Sequence, residues 1–211
     1  FALQDEITMK VITALQVKLT EGEQVRVSAK GTENLQAYLK SLQAREALFM
    51  VTKEGNVQAR RLSAEAIALD PNFPTPYGIL ASTHFMDVSL GASKSPAESL
   101  KLALELAKKS QAMDETRPVS IIGWLYILAE RQYDKAIAEC EKAITLAPNS
   151  ADAHSFMAIV LMYAGRPEEA VRHGEQALRL DPIPPGWYYR NLGLAYFHVG
   201  RYEDAIAILK K

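Results

Sequence analysis

Between Pro148 and Pro182 the apolar positions recur with a helical period on both sides of a glycine. Ala153, Phe156, Met157, Val160 and Leu161 fall three and four residues apart, so they share one broad stripe of a helix. Gly165 ends that stripe, because a residue without Cβ takes a left-handed turn at no steric cost. Pro167 follows at the first position of a second helix, where its missing N–H is not needed, and Glu168 and Glu169 suit the positive end of the helix dipole. Ala170, Val171, Gly174, Ala177, Leu178 and Leu180 form the second stripe, and small Ala158, Ala170, Gly174 and Ala177 let two backbones approach closely. Asp181-Pro182 closes the unit, since proline does not continue a helix and pushes its predecessor out of the αR region. The pattern predicts two short antiparallel helices joined by a tight turn.

The unit repeats. Pro148 and Pro182 stand 34 residues apart, and His154, Met157-Ala158, Leu161, Gly165, Ala170, Gly174, Ala177 and Pro182 return in register downstream as Tyr189, Leu192-Gly193, Tyr196, Gly200, Tyr202, Ala205 and Leu209. Upstream they return as Ile122-Gly123, Tyr126, Tyr133, Ala136, Cys140, Ala143 and Pro148, with one extra residue in the turn. In period and residue type this resembles the tetratricopeptide repeat. The resemblance implies an all-α, right-handed superhelical solenoid of helix-turn-helix repeats, at approximately 33–71, 74–115, 116–148, 151–184 and 186–211.

The flanks fit less well. Residues 2–20 carry Leu3, Ile7, Val11, Leu15 and Leu19 on one stripe, widened by Ile12 and Val17, and predict an extra amphipathic N-terminal helix without repeat signature. It reads as a helix packed on the end of the solenoid, as a connector to an upstream domain, or as both. A polar hinge between Gly22 and Gly31 completes a segment 1–31, with the solenoid over 32–211. Thr32 is the expected N-cap of a helix from Glu33 to Met50, with Leu35, Tyr38, Leu39, Leu42 and Phe49 inward; a loop from Thr52 to Gly55 leads to a second helix. In the repeat from Pro74, an insertion over 87–96, within the stretch "MDVSLGASKSP", is expected to separate the helices, as a tolerated excursion or as a contact loop.

Composition narrows the function more than the fold. A chain that is 48% hydrophobic and 23% charged, with net charge −1 and both signs interspersed, has no electrostatic footprint for nucleic acid or an anionic membrane surface. No apolar run is long enough to span a bilayer. The single Cys140 rules out an internal disulfide and falls where a small apolar residue is wanted. His84 and His154 occupy bulky positions of first helices, His173 lies on a second helix beside Arg172, and none has the company of a metal or catalytic site. The expected catalytic, cofactor-binding and metal residues are therefore none, and the segment reads as non-enzymatic. It begins at Phe1 and stops at Lys210-Lys211 inside a helical pattern, so it reads as part of a longer protein, with a cytoplasmic setting expected.

What remains is a surface. In the family the resemblance points to, first helices line a concave groove, and mapping its groove positions gives Phe85 and Met86, then Trp124, Ile127 and Leu128, then Ile159, Met162 and Tyr163, then Arg190, Leu194, Phe197 and His198. The same mapping places Arg117 and Ser155 there. The deeper positions are apolar or aromatic, which implies a groove for a partner helix or extended apolar peptide anchored by Trp124, Tyr163 and Phe197, or one filled by the N-terminal helix, by the insertion, or by a second copy of the chain. The chaperone-docking version of the fold clamps a carboxylate with Lys and Asn; Ser155, Ile159, Arg190 and Leu194 stand here instead.

The opening "FALQDEITMKVITALQVKLTEGEQ" with "KGTENLQAYLKSLQAREALF" and "AEAIALDPN" is similar to the region after the catalytic domain in bacterial class III adenylate or guanylate cyclases that carry C-terminal tetratricopeptide repeats. That implies a regulatory or scaffolding module for a protein or peptide partner. A self-association module that pairs two attached catalytic domains is the alternative.

Overall fold

The computed structural model describes residues 31–115 and 119–211, and among these every regular element is an α-helix. The predicted N-terminal helix over 2–20 and Arg117 lie outside the described residues. Among the described residues ten helices form five antiparallel pairs: α1 (Leu35–Phe49) with α2 (Lys53–Leu69), α3 (Pro74–Ser89) with α4 (Pro96–Met113), α5 (Ile122–Glu130) with α6 (Tyr133–Leu146), α7 (Ala151–Tyr163) with α8 (Pro167–Leu180), and α9 (Gly186–His198) with α10 (Tyr202–Leu209). First helices also pack on one another, α1 on α3, α5 on α7 and α7 on α9, and each second helix leans on the next first helix, which is how a solenoid buries a continuous core.

The pair α7/α8 folds as its pattern predicts. Ser150 caps α7 by accepting from the Ala153 N–H at 3.2 Å. Gly165 turns left-handed at φ 78°, with its own N–H on the Met162 carbonyl and that of Arg166 on the Leu161 carbonyl, and Pro167 opens α8. Ala158, Ala170 and Ala177 are fully enclosed. In α5/α6 the turn is made by Arg131 at φ 54°, a left-handed residue that costs about 1–2 kcal/mol relative to glycine and is held by bonds to the Ile127 and Tyr126 carbonyls.

Four expectations for the first two pairs are corrected. Asn34, not Thr32, caps α1, accepting from Ala37 N–H; the Thr32 hydroxyl instead accepts from Asn34 N–H and donates to the Asp70 carboxylate, tying both ends of the pair together. The face of α1 that packs inward is Ala37, Ser41, Ala44 and Ala47, while Phe49 is 60% exposed: the helices approach too closely for large residues on the contact line. The α1–α2 loop is only Met50–Thr52, because Thr52 caps α2 through the Gly55 N–H and Gly55 sits within the helix, where a Cβ would stand 2.5 Å from the Ala47 carbonyl oxygen. The insertion over 87–96 does not form a long excursion either. It extends α3 to Ser89, and the carbonyl of Asp87 accepts from Ala92 and Ser93 N–H, leaving a short turn before Pro96. Lengthening helices keeps backbone groups paired, which a loop of the same length would not.

The main core runs from Ala81 through Leu104, Leu125, Val160 and Leu192 to Ala205, and a smaller cluster of Ala44, Leu62 and Ile79 joins the first two pairs.

Candidate functional site

Three first helices, α5, α7 and α9, carry most of the predicted groove. Trp124 of α5 and Tyr163 of α7 meet with ring centroids 5.0 Å apart at 58°, a tilted geometry favoured by the ring quadrupoles. The partnership is unequal: Trp124 is 8% exposed and Tyr163 50%. Trp124, Ile127 and Ile159 are thus core residues covered by their neighbours, and Trp124 is corrected from contact anchor to support beneath Tyr163. Phe85, Met86, Leu128, Met162 and Leu194 are partly exposed, and Tyr163, Arg190, Phe197 and His198 face solvent. Phe197 packs its ring on Tyr202 of α10 at 5.6 Å and on His198 at 5.8 Å, and among the described residues no ring contact joins it to the Trp124–Tyr163 pair. The sequence mapping therefore yields two neighbouring aromatic patches, not one trough with three anchors.

Beside these patches the polar groups are largely committed. Tyr188 O–H donates to Asp152 Oδ1 at 2.7 Å, and burial, only partly offset by that bond, raises the Asp152 carboxyl above its ordinary range. Asn191 Nδ2 donates to the Ser155 carbonyl and hydroxyl oxygens, both at 3.2 Å, and its Oδ1 accepts from Arg190 Nη2 at 3.4 Å. Ser155 is 1% exposed, so its hydroxyl is out of reach of a ligand carboxylate. An aromatic group of Phe156, Trp187 and Tyr188, with centroids 4.7 and 4.4 Å apart, walls the start of α7 and α9. Among the described residues no three His, Cys, Asp or Glu side chains cluster as a metal site, and no helix is long and apolar enough to cross a membrane. Cys140 is enclosed between α5 and α6, where burial, then Glu139 and Glu141, push its thiol up to about 12.

Residues 128–173 and residues 188–211 each match a family model described as tetratricopeptide repeat. Over those two stretches the chain matches tetratricopeptide repeats. Its repeats superpose on a thermophilic TPR protein of Thermus thermophilus with a TM-score of 0.59, 19% identity and 82% of each chain covered. They also superpose on MamA from Desulfovibrio magneticus RS-1 with a TM-score of 0.51, 18% identity and 84% and 93% covered. At such identities the likeness is one of fold. In sequence the chain is similar to "Putative adenylate cyclase 3" of Rhizobium meliloti, 31% identical over 121 residues, 56% of this chain and 20% of that protein. It is also similar to the transcriptional regulator HilA of Salmonella typhimurium, 27% identical over 169 residues, 79% of this chain and 30% of that protein. The chain thus spans less than a third of the curated relatives it matches.

The sequence reading missed the contact between His154 and His173, whose Nδ1 atoms lie 3.0 Å apart. Its signal was present: the residues stand at comparable distances before and after the Gly165 turn, and an antiparallel hairpin brings such positions together.

Proposed function

We propose that residues 32–211 are the partner-binding region of a larger bacterial signalling protein, acting in the cytoplasm, and that their ligand is an amphipathic helix or apolar peptide laid along the exposed edge of α7 and α9. The observation that carries this reading is that Tyr163 and Phe197 remain 50% and 57% exposed on helices that Tyr188–Asp152 and Asn191–Ser155 hydrogen bonds tie together. Exposed aromatics on a preorganised surface contribute large contact area at small entropic cost, which is the usual chemistry of an interface anchor. Arg190 and His198 beside them favour a ligand with acidic residues flanking its apolar face. The likeness to a cyclase and to a transcriptional regulator supports a binding role reused by different output domains, with a nucleotide cyclase as the favoured parent.

Peptides selected for binding to the 211-residue chain test this reading. Their affinity for wild type and for the double variant Tyr163→Ser/Phe197→Ser is measured alongside thermal unfolding. Loss of one anchor of this type typically costs more than about 1.4 kcal/mol, or tenfold. A loss of tenfold or more at unchanged Tm supports the proposal, and equal affinity for both proteins overturns it. Light scattering at the same concentrations separates a self-associating module from a monomer that binds a foreign ligand.

A further inference from the structure

His154 of α7 and His173 of α8 meet across their hairpin with Nδ1 atoms 3.0 Å apart. Their ring centroids are 5.2 Å apart and the planes differ by 27°, so both nitrogens lie near the line joining the rings, and the imidazoles meet edge to edge. The tautomers follow by elimination. His154 Nε2 lies 3.0 Å from the Pro148 carbonyl oxygen, which only accepts, so Nε2 carries the hydrogen. In the neutral ring His154 Nδ1 is then a lone pair, and His173 Nδ1–H donates to it. The same alignment leaves no seat for a metal ion, which needs both lone pairs aimed at one point about 2.0–2.1 Å from each nitrogen.

Such a bond tolerates one proton and not two. A proton added to His173 Nε2 leaves the donor in place. A second must enter at the His154 lone pair already in use, and two N–H groups bearing like charge would then face each other at hydrogen-bond distance. The neighbours do not relieve this. From α8, Arg172 adds positive charge, as does Arg166 from the turn before it; Glu169, whose carboxylate opposes them, is held by Arg166 at 2.5 Å and lies 3.6 Å from Arg172. From α6, Glu141 acts on Arg166. From α9, Tyr188 and Asn191 are tied to Asp152 and Ser155, and Tyr196 to Glu175; from α5, Trp124 meets α7 at Tyr163.

We propose that this Nδ1–H···Nδ1 bond is an acid-sensitive latch, closed near neutral pH, whose double protonation drives His154 and His173 apart and loosens α7 from α8. The direction is supported by His173, which burial first, then His154 and Arg172, hold below the ordinary imidazole value of 6.5. The unfolded chain therefore takes up a proton that folded His173 refuses, so stability is full above that value and falls as pH drops below it. Because α7 also carries Ile159 and Tyr163, an open latch would disturb the proposed binding edge; that consequence rests on the groove reading, whereas the loosening does not.

Thermal unfolding of the chain and of His173→Gln, at about pH 7.5 and about pH 5, tests the latch across the imidazole range. A glutamine amide donates to neutral His154 Nδ1 or turns its oxygen to accept from the protonated ring, so it holds at both values. The wild-type Tm should fall by about 2–4 °C more than that of the variant, a shift on the scale of 1 kcal/mol for this chain length. His84 is common to both proteins and cancels. Parallel falls overturn the latch. Histidine ¹⁵N spectra of the wild type give a reading that needs no variant: His154 as the Nε2–H tautomer near neutral pH is expected, and the Nδ1–H tautomer overturns the proposal. If the Tm difference appears while peptide affinity is unchanged by pH, the latch stands and its coupling to the binding edge fails, whereas equal affinity of wild type and Tyr163→Ser/Phe197→Ser sinks the groove reading by itself.

Discussion

Gly123 of α5 rests directly against Cys140 of α6: a Cβ at position 123 would overlap the Cys140 sulfur and stand 2.7 Å from the Ala136 carbonyl oxygen. Gly193 occupies the equivalent place in α9, yet there the nearest atoms belong to the Leu209 side chain, at 2.6 to 3.1 Å, and Leu209 is 53% exposed. The two glycines thus share a repeat position and differ in what opposes them. Alanine gains roughly 0.8–1.0 kcal/mol over glycine in a helix interior, so the sign at each site depends on whether the obstacle can move. At Gly123 it is a backbone oxygen and an enclosed sulfur; at Gly193 it is a rotatable side chain at the surface. Gly123→Ala should destabilise by about 1–3 kcal/mol, and Gly193→Ala should be neutral or mildly stabilising, as read from urea midpoints at constant slope.

The thiol of Cys140 should be inert in the folded protein. It is 1% exposed and pushed up to about 12, so at neutral pH neither the thiolate nor a path to it is available. Iodoacetamide at neutral pH should leave the native chain unlabelled by mass spectrometry and label it once in urea. Labelling without denaturant at a rate like that of a free thiol would mean that the α5/α6 pair opens on its own.

How much of this was legible beforehand varies along the chain. The Pro148–Pro182 unit could be read almost residue by residue, because Gly165 and Pro167 act through their own backbone geometry, and local signals of that kind do not depend on what packs around them. The inward face of α1 could not: Phe49 and Ala47 both satisfy an apolar stripe, and only the close approach of α2 at Gly55 selects the small residues. The groove was half legible. Spacing put Trp124 and Tyr163 on facing helices, but which of the two covers the other is decided by side-chain packing between helices far apart in sequence.

Tyr188 and Asp152 give a pH-dependent test of packing between α7 and α9. The carboxyl is raised by burial, and the Tyr188 O–H bond pulls it back toward ionisation. Tyr188→Phe removes that donor from a half-buried acceptor, at a cost of about 1–3 kcal/mol. The sign with pH follows. The lost bond stabilised the ionised form most, so the variant's deficit should be largest where Asp152 is ionised and shrink as acid protonates it. A deficit constant from neutral pH down to about pH 3, below the ordinary carboxylate value, would show that the phenol contributes packing and no hydrogen bond.

The sharpest distinction on the proposed binding edge is between Trp124 and Tyr163, two rings in contact with opposite exposure. Removing the buried ring leaves a cavity in the main core, and Trp124→Ala should cost about 3–5 kcal/mol whether or not a ligand exists. Removing the exposed ring leaves no comparable cavity, so Tyr163→Ser should change the urea midpoint little while lowering peptide affinity at least tenfold. A variant that loses fold and affinity together does not identify a contact, which is why Trp124 is the wrong probe and Tyr163 the right one. If Tyr163→Ser destabilises as severely as Trp124→Ala, the ring is part of the core and the edge of α7 is not where a partner binds.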